Sequence, residues 1–598
     1  GVELETDNSI FVTNPYFAAH RFETNDTRNR LIGNVTLRYD FTDWLYLQGR
    51  IGIDQYTSRR RNLTPYGTGY SPLGQLSELE RRFTEVNKDF LLGVDKKFGI
   101  FGLNAFVGGN QMAQERETIG GGGSQFSIPF LETLSNLANQ SISYGISEKA
   151  INSLYGSVEV SFRDYLFVTA TARQDWFSTL SNIAIEGEDN SILYPSVGAS
   201  FIFSDAMQLP SWFTFGKIRG SWAQVGGDTD PYNLALTYGL VGQGHLGNPL
   251  GRIAQGRIPN ANLIPLSNTE IEIGFDLRFL NNRLGIDFAY YDRQTDDDIL
   301  NASVSATSGY GSQVVNVGQL SNKGIELLIT ASPVRKPNFQ WDVSLNLAKN
   351  DSNVESLLDP DNDEKAGTNE AENIRVAEAR SRNAYIHHLE GFPYSAIMGF
   401  QYARDASGAI MLDDNGLPTQ GEFGVLGIGV HDITAGLNNT LTYKGLSLSF
   451  LLDMKTGGDI YSGTNRTAYG SGLHKNTLEG RETGNITLAD GGTTKLDPAD
   501  VQDYWGRLTG ITEEFVYDAS FIKLRQMTLS YRLPNSLVEK SPFSAVSISL
   551  VGRNLGLLSS NVDNIDPEAT YNNANGQGLE WFGVPQTRTF GFDLNISF

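Results

Sequence analysis

The carboxy-terminal nine residues alternate between apolar side chains and small or polar ones. The apolar residues, at every second position, are Phe590, Phe592, Leu594, Ile596 and Phe598. A period of two predicts a β-strand with one apolar face and one polar face. In a soluble protein the apolar face would line a core, whereas in an outer-membrane barrel it would contact lipid and the polar face would line the lumen. The recurrence and spacing of the pattern decide between these folds.

The same alternation recurs along the chain in paired segments joined by tight turns. We predict seventeen strands, over residues 31–39, 45–54, 84–97, 101–117, 153–162, 165–176, 194–203, 212–225, 270–279, 284–290, 323–334, 339–349, 434–443, 446–454, 515–531, 544–555 and 588–598. Long connections separate the hairpins, so short turns lie at one end of the strands and long loops at the other. Transmembrane barrels have this arrangement, whereas a soluble sandwich or propeller mixes its loop lengths. The predicted fold is all-β, a transmembrane antiparallel β-barrel.

Two irregularities accompany this pattern. Lys523 and Arg525 share a face with apolar residues further along the same strand, such as Met527. This change indicates a β-bulge, and an interior strand buried on both faces is the alternative. An odd number of strands does not close an antiparallel barrel, so we expect further strands before Gly1.

Composition excludes several other classes of protein. No apolar run approaches the ~20 residues of a transmembrane helix. The 46 basic and 68 acidic residues give a net charge of −22, which argues against a nucleic-acid partner. The chain has no cysteine, which fits an oxidising compartment without proving one. It also begins without a Met or a secretory signal, so we interpret it as a mature product or a fragment.

Several segments resemble one family of transporters. They lie at residues 33–35, 40–45, 322–326, 517–525, 528–531, 552–555 and 566–568. Their sequences and spacing resemble those of SusC-like TonB-dependent outer-membrane transporters of Bacteroidota. By this resemblance residues 1–598 form the carboxy-terminal part of the barrel, with an external loop at 1–29 and strands and loops over 30–598. Large plugged transporters have about 22 strands, so a plug domain, a TonB box and about five strands are expected before Gly1.

The resemblance implies a function and its partners. We expect TonB-dependent import of a bulky nutrient, an oligosaccharide or an oligopeptide, across the outer membrane. A SusD-like surface lipoprotein would cover the external loops, TonB would act through the missing amino-terminal part, and lipid and lipopolysaccharide would surround the barrel. A passive porin and an outer-membrane enzyme are the alternatives, although no nucleophile motif precedes a helix and we predict no enzyme, no cofactor and no metal.

Charged residues of both signs lie on the face of the predicted strands that would line the lumen. They are Arg38, Arg50, Asp54, Glu270, Glu272, Asp276, Arg278, Asp287, Glu326 and Asp342. This mixture suits salt bridges to a plug and also suits a water-filled pore.

Other candidate sites are weaker. Adjacent His387 and His388 would point to opposite faces of a strand, which makes them poor joint metal ligands. The acidic segments 359–364 and 413–416 lack the ligand spacing of an EF-hand and are interpreted as solvated turns. Gly120 to Gly123 lack the Lys-Ser or Lys-Thr of a phosphate-binding loop and are interpreted as a flexible loop.

Aromatic residues in the long loops have two alternative roles. Tyr461 and Phe582 fit the interfacial girdle of a barrel. Tyr504 and Trp505 lie in the middle of a long connection, where they would either stack on a ligand or pack the loop. These two residues are the candidate ligand-binding site.

Overall fold

A computed structural model describes residues 2–3, 13–181, 190–246, 248–253, 256–304, 306–357, 373–381, 383–539, 541–570 and 576–597. The chain divides into two compact units. The first unit comprises residues 1–164, 169–196 and 226–235, and the second comprises 165–168, 197–225 and 236–598. Phe598, Tyr571 and the acidic segment 359–364 lie outside the described residues.

The first unit is an antiparallel meander. It begins with helix α1 (Pro15–Arg21), in which the Asn14 side chain accepts the N–H groups of Tyr16 and Phe17. The strands are β1 (Glu23–Thr42), β2 (Leu45–Thr64), β3 (Gln75–Phe98), β4 (Phe101–Phe126) and β5 (Leu137–Phe162), with a 3₁₀ turn at Leu134–Asn136. Each strand pairs with the next.

Two predictions of loop conformation in this unit are wrong. Residues 23–29 belong to strand β1, and Gly120 to Gly123 lie within β4 and not in a flexible loop. The external position of residues 1–29 stays a prediction. The strands are 20 to 26 residues long, whereas 9–11 residues cross a bilayer. They therefore continue well beyond the apolar part that the sequence pattern detects.

Three strands contribute residues to both units, namely β6 (Leu166–Phe177), β7 (Ser191–Ile202) and β8 (Phe213–Gly227). A 3₁₀ turn at Ser178–Leu180 and helix α2 (Phe203–Ala206) lie between them. The strands β9 (Tyr238–His245) and β10 (Asn248–Ile253) pair with each other, and β11 (Arg257–Ile258) is short.

The second unit continues with β12 (Leu266–Phe279), β13 (Leu284–Ser303), β14 (Ser312–Lys336) and β15 (Phe339–Ser356), with a 3₁₀ turn at Ala306–Ser308. A separate four-stranded antiparallel sheet follows, made of β16 (Asn373–Glu378), β17 (Ala384–Leu389), β18 (Ala396–Tyr402) and β19 (Gln420–Ile428). The meander then resumes with β20 (Ile433–Tyr443) and β21 (Leu446–Thr456).

The connection after β21 contains short elements. They are β22 (Asp459–Ser462), α3 (Gly463–Gly470), β23 (Asn485–Thr487), β24 (Thr493–Lys495), α4 (Val501–Leu508) and β25 (Val516–Asp518), with 3₁₀ turns at Lys475–Leu478, Pro498–Asp500 and Thr512–Phe515. The remaining elements are β26 (Phe521–Arg532), α5 (Asn535–Val538), β27 (Ala545–Ser560), β28 (Leu579–Glu580) and β29 (Thr589–Ser597). The strands β21, β26, β27 and β29 pair in that order.

Each of the seventeen predicted strands coincides with a strand of the structure. The predicted bulge is confirmed at Arg525, because Leu451 pairs with Gln526 while Leu452 pairs with Leu524. The described residues contain no helix that is long and apolar enough to cross a membrane.

The short turns depend on residues that accept left-handed backbone angles. Between β12 and β13, Asn281 and Asn282 have φ values of 56° and 62°. Asparagine tolerates this region better than most residues because its side chain can bond to the nearby backbone. Lys444, in the turn between β20 and β21, has a φ of 55° and is followed by Gly445. These turns set the register of the hairpins on either side.

Candidate functional site

The predicted lumen-facing charges of the second unit form cross-strand ion pairs. Arg219 of β8 donates through Nε to Oε1 of Glu272 at 3.1 Å and through Nη1 to Oδ1 of Asp287 at 3.0 Å. Glu270 pairs with Arg293 at 2.5 Å. The contacts join β8, β12 and β13 on the polar face of the sheet.

Two carboxylates on this face lie directly opposite each other, since Asp276 of β12 pairs in register with Asp287 of β13. Like charges at such a position repel. Each has its own guanidinium group nearby, because Arg278 lies 3.1 Å from Asp276 and Arg219 contacts Asp287. Each of the two carboxylates therefore has a cationic partner within the sheet.

The first unit shows the same pairing on its polar face. Arg50 of β2 lies 3.1 Å from Asp89 of β3, which also accepts the Nδ2–H of Asn110 at 2.8 Å. Asp54 pairs with Arg30 of β1 at 2.5 Å. Arg38 pairs with Asp40 at 2.9 Å and lies over the ring of Tyr46.

Asp342 and Glu326, the last two of the predicted lumen-facing residues, have different surroundings. Asp342 accepts hydrogen bonds from Ser332 and Gln340, at 2.5 Å and 2.8 Å. Glu326 lies opposite Ala289, on the same face as Asp287. Sequence reasoning missed the partners Arg219, Arg293 and Asp89 because cross-strand neighbours depend on register, which alternation alone does not supply.

A compact charged cluster joins β21 and β26 to the loop after β27. Lys523, whose side chain is 9% exposed, donates to Asp566 at 2.6 Å and to Glu568 at 2.7 Å. Arg525, the bulged residue, donates to the same Glu568 at 2.9 Å and to Asp453 at 2.8 Å. Lys455 lies 3.1 Å from Glu568. We call these six residues the carboxy-terminal cluster.

Glu568 is the carboxylate on which the cations of this cluster converge. Burial alone would raise its pKa, but the hydrogen bond and charge of Lys523, with Arg525 and Lys455, lower the pKa to about 2. The bulge turns Lys523 and Arg525 towards the loop, and the acidic pair lies in a segment that the sequence analysis identified only by family resemblance. The cluster therefore anchors that loop to two strands.

Tyr504 and Trp505 lie in helix α4 and not in an irregular loop. They are only 2% and 6% exposed, within an apolar core that includes Ile386 of β17 and Tyr469 of α3. This location matches the second alternative, in which the pair packs the loop, and ligand contact by it stays a prediction. The spacing of Val501, Tyr504, Trp505 and Leu508 at i, i+3, i+4 and i+7 is the signal that indicates this helix.

We call the two long connections that share this core, residues 373–428 and 459–518, the loop cluster. Tyr461 is fully buried in this core and hydrogen-bonds to Asn383 and Ser381. The prediction that Tyr461 belongs to the interfacial girdle is therefore wrong. Glu514 is partly buried and accepts a hydrogen bond from the hydroxyl of Tyr402 at 2.7 Å. Burial raises the pKa of Glu514.

The two adjacent histidines lie in β17 and contact different neighbours. His387 lies near Phe423, whereas the ring of His388 lies 5.7 Å from that of Tyr394. Burial lowers the pKa of each to about 4, and the charge of Arg375 adds to this for His387. Neither ring nitrogen of His388 has a hydrogen-bond partner within the described residues.

Asp413 behaves as a turn residue. Its Oδ1 atom accepts the N–H groups of Asn415 and Leu417, and Arg507 lies 3.4 Å from its Oδ2 atom. In the part of the chain that the structure describes, no three His, Asp or Glu side chains are grouped to hold a metal ion.

The family model described as TonB dependent receptor-like, beta-barrel matches residues 3–453. The chain belongs to this family. The predictions of an all-β transmembrane barrel and of a SusC-like resemblance are thus confirmed, and the family places the chain in the outer membrane. Its relatives are TonB-dependent receptors, which are not enzymes.

Relatives with curated names cover nearly the whole chain. TonB-dependent receptor P3 of Formosa agariphila is 24% identical over 98% of this chain and 60% of its own length. TonB-dependent receptor SusC of Bacteroides thetaiotaomicron is 22% identical over 99% of this chain and 58% of its own length. The chain therefore spans about 60% of the length of these relatives.

A solved structure shares the fold. The chain matches the structure titled as the RagAB peptide transporter with a TM-score of 0.77 and 19% identity, over 98% of this chain and 63% of that one.

Proposed function

We propose that the protein is the carboxy-terminal barrel part of an energised importer of bulky nutrients, either oligosaccharides or oligopeptides. In this proposal an amino-terminal plug fills the lumen, a TonB-type partner displaces it, and a SusD-like lipoprotein covers the external loops. The observation that carries the proposal is the family match together with relatives that align over almost the entire chain.

The polar face supports passage of a hydrophilic solute. Its charges, such as Arg219, Glu272 and Asp287, are already paired within the sheet. Pairing of this kind leaves hydrogen-bonding groups facing water and weakens the field of each individual charge. It suits neutral or zwitterionic cargo better than a highly charged ion.

The loop cluster supports a partner at the external end. Its own core holds Tyr469, Trp505 and Phe515 at 6% exposure or less, so it is a folded body and not a set of free loops. A body with its own core presents a defined outer surface, which is what docking of a lipoprotein requires.

Uptake by cells that express the complete gene tests the proposal. Labelled oligosaccharides and oligopeptides of graded size are offered with and without an uncoupler that dissipates the proton gradient. TonB-dependent import should stop on uncoupling and on deletion of the SusD-like partner, whereas import through a porin would continue. Uptake that is unchanged by the uncoupler would contradict an energised importer.

A further inference from the structure

Particular residues mark two levels along the strands on the apolar face of the first unit. At the end near the short turns lie the aromatic residues Trp44, Phe98 and Phe101. Ten positions before Phe98 along β3, Lys88 interrupts the apolar series, which continues for one further position at Val86. Ten residues at ~3.3 Å each, tilted by ~40°, rise about 25 Å, which is the height of the apolar band of a membrane barrel. Lys88 therefore lies at the edge of the band nearer the long loops, which is the external edge.

A groove lies on this apolar face, between Lys88 and the short turns. One register row across the five strands β1 to β5 consists of Leu37, Gly49, Phe90, Gly109 and Leu154. The two glycines leave gaps between large side chains that are 56% to 75% exposed. The groove has a volume of about 570 Å³, and its lining is mostly apolar.

The floor of the groove is open over Gly49. A Cβ atom built on Gly49 meets only the carbonyl oxygen of Asp89, at 4.0 Å. At Gly109 the Phe90 ring already occupies the space, since its Cε1 atom lies 2.9 Å from such a Cβ. The groove thus lies between β1 and β3, with Leu37 on one side and Phe90 on the other.

Polar groups gather at the external end of the same groove. Lys88 shares a register row with Gln111 and Asn152, whose side chains are joined by a hydrogen bond of 3.3 Å. Trp176 also lines the groove. Lys88 is exposed and forms no ion pair within the described residues, and its neighbour Asp89 lies on the opposite face of the strand, where it pairs with Arg50.

We propose that this groove binds a phosphate-bearing lipid of the outer leaflet, the lipid A part of lipopolysaccharide. An acyl chain lies over Gly49, and Lys88 binds a phosphate group while the amides of Gln111 and Asn152 bind neighbouring polar groups. An apolar groove that ends in an unpaired cation at the membrane surface complements an anionic amphiphile and not a soluble partner.

A strand of the second unit also carries a lysine ten positions from the aromatic residue at its turn end. Lys349 lies ten positions after Phe339 in β15, is exposed, and faces apolar neighbours Ile325 and Ile433 in the register. It too forms no ion pair within the described residues. Two strands that each carry a lysine without an ion pair near the end of the apolar series are expected where the surrounding leaflet is anionic.

Lipid retained by the purified protein tests the proposal. The full-length protein is extracted from outer membranes in a mild detergent, and bound lipid A is counted by native mass spectrometry. Lys88→Gln removes the cation, and we expect roughly a five-fold loss of bound lipid A, from the attraction of a single lysine to an anionic surface. Gly49→Phe fills the groove, where a new side chain has room, and should reduce binding at least as much.

Lys96→Gln is the matched control. Lys96 lies on the same face of β3 but at the opposite edge of the band, over the rings of Trp44 and Phe98. It should leave bound lipid A unchanged. Equal retention in all variants, or an equal loss with Lys96→Gln, would overturn the proposal. A loss with Lys88→Gln but not with Gly49→Phe would overturn the groove as the acyl-chain site.

Discussion

The carboxy-terminal cluster gives the sharpest quantitative prediction, for the substitution Lys523→Met. Methionine keeps much of the apolar stem but removes the ammonium group that bonds to Asp566 and Glu568 at 2.6 Å and 2.7 Å. Asp566 then keeps backbone N–H donors, of which that of Glu568 lies at 3.0 Å. Glu568 keeps Arg525 and Lys455.

The magnitude follows from these remaining contacts. Breaking a buried ion pair on one side costs about 3–5 kcal/mol. Because Glu568 keeps two cations, we expect a loss of stabilising free energy at the lower end of this range, about 3 kcal/mol. This loss of free energy weakens the attachment of the loop and not the strand, since the backbone hydrogen bonds of β26 do not involve the side chain of Lys523.

Hydrogen exchange of the purified protein in detergent measures this anchoring. The N–H group of Ala569 donates to the carbonyl oxygen of Asp566 at 2.9 Å and reports on the loop. A loss of about 3 kcal/mol should speed its exchange roughly 100-fold, since each 1.4 kcal/mol is a factor of ten. Amides in the middle of β26 should keep their protection.

Lys475→Met is the control for this experiment. Lys475 pairs with Asp563 of the same loop at 3.2 Å, but both side chains are more than 70% exposed. An exposed pair contributes at most about 1 kcal/mol, so exchange at Ala569 should change little. If Lys523→Met left this amide as protected as in the wild type, or if both variants lost protection equally, the anchoring role of Lys523 would be refuted.

Three further predictions concern pH, the membrane face and topology. Because the pKa of Glu568 is lowered on folding, its contribution is present above about 4.5 and lost as the pH falls towards 2, so loop exchange should accelerate in that window and not between pH 6 and 8. Ile273→Arg on the apolar face, six positions before Phe279 and so near the midplane, should cost ~2–4 kcal/mol in a refolding assay. Asp276→Asn, beside Arg278, should be mild, and equal losses would mean misassigned faces. An impermeant thiol reagent on whole cells should label a cysteine at 415 in the loop cluster and spare one at 281 in a short turn, and the reverse pattern would invert the topology.

The strands were predictable because a half-apolar strand carries a period of two in its own residues. The prediction stopped at Thr84 in β3 and at Glu117 in β4, whereas these strands extend to Gln75 and Phe126. In the added part of β3 the apolar residues Leu76, Leu79 and Phe83 do not alternate, and the added part of β4 is glycine-rich, so the period of two disappears although the backbone pairing continues.

The contacts of the candidate site were less predictable. Arg219 and Glu272 are 53 positions apart in sequence, and only the register of neighbouring strands brings them together. The bulge at Arg525 left a local mark, since two cations interrupted an apolar series. The role of that bulge left no mark in the neighbouring sequence, because Asp566 and Glu568 reach it from a loop whose path depends on tertiary packing.

The pairing of charges within the wall bears on how an energised transporter would release a plug. Free charges on the wall would bind a plug strongly, and each would be left uncompensated in a confined space when the plug moved, at a cost of several kcal/mol. Here Arg50 is paired with Asp89, and Arg219 with Glu272 and Asp287, all within the strands of this chain. In our proposal these residues would keep their partners whether or not a plug contacts them. In our proposal the force delivered by a TonB-type partner then acts on the plug's own fold and not on wall–plug ion pairs.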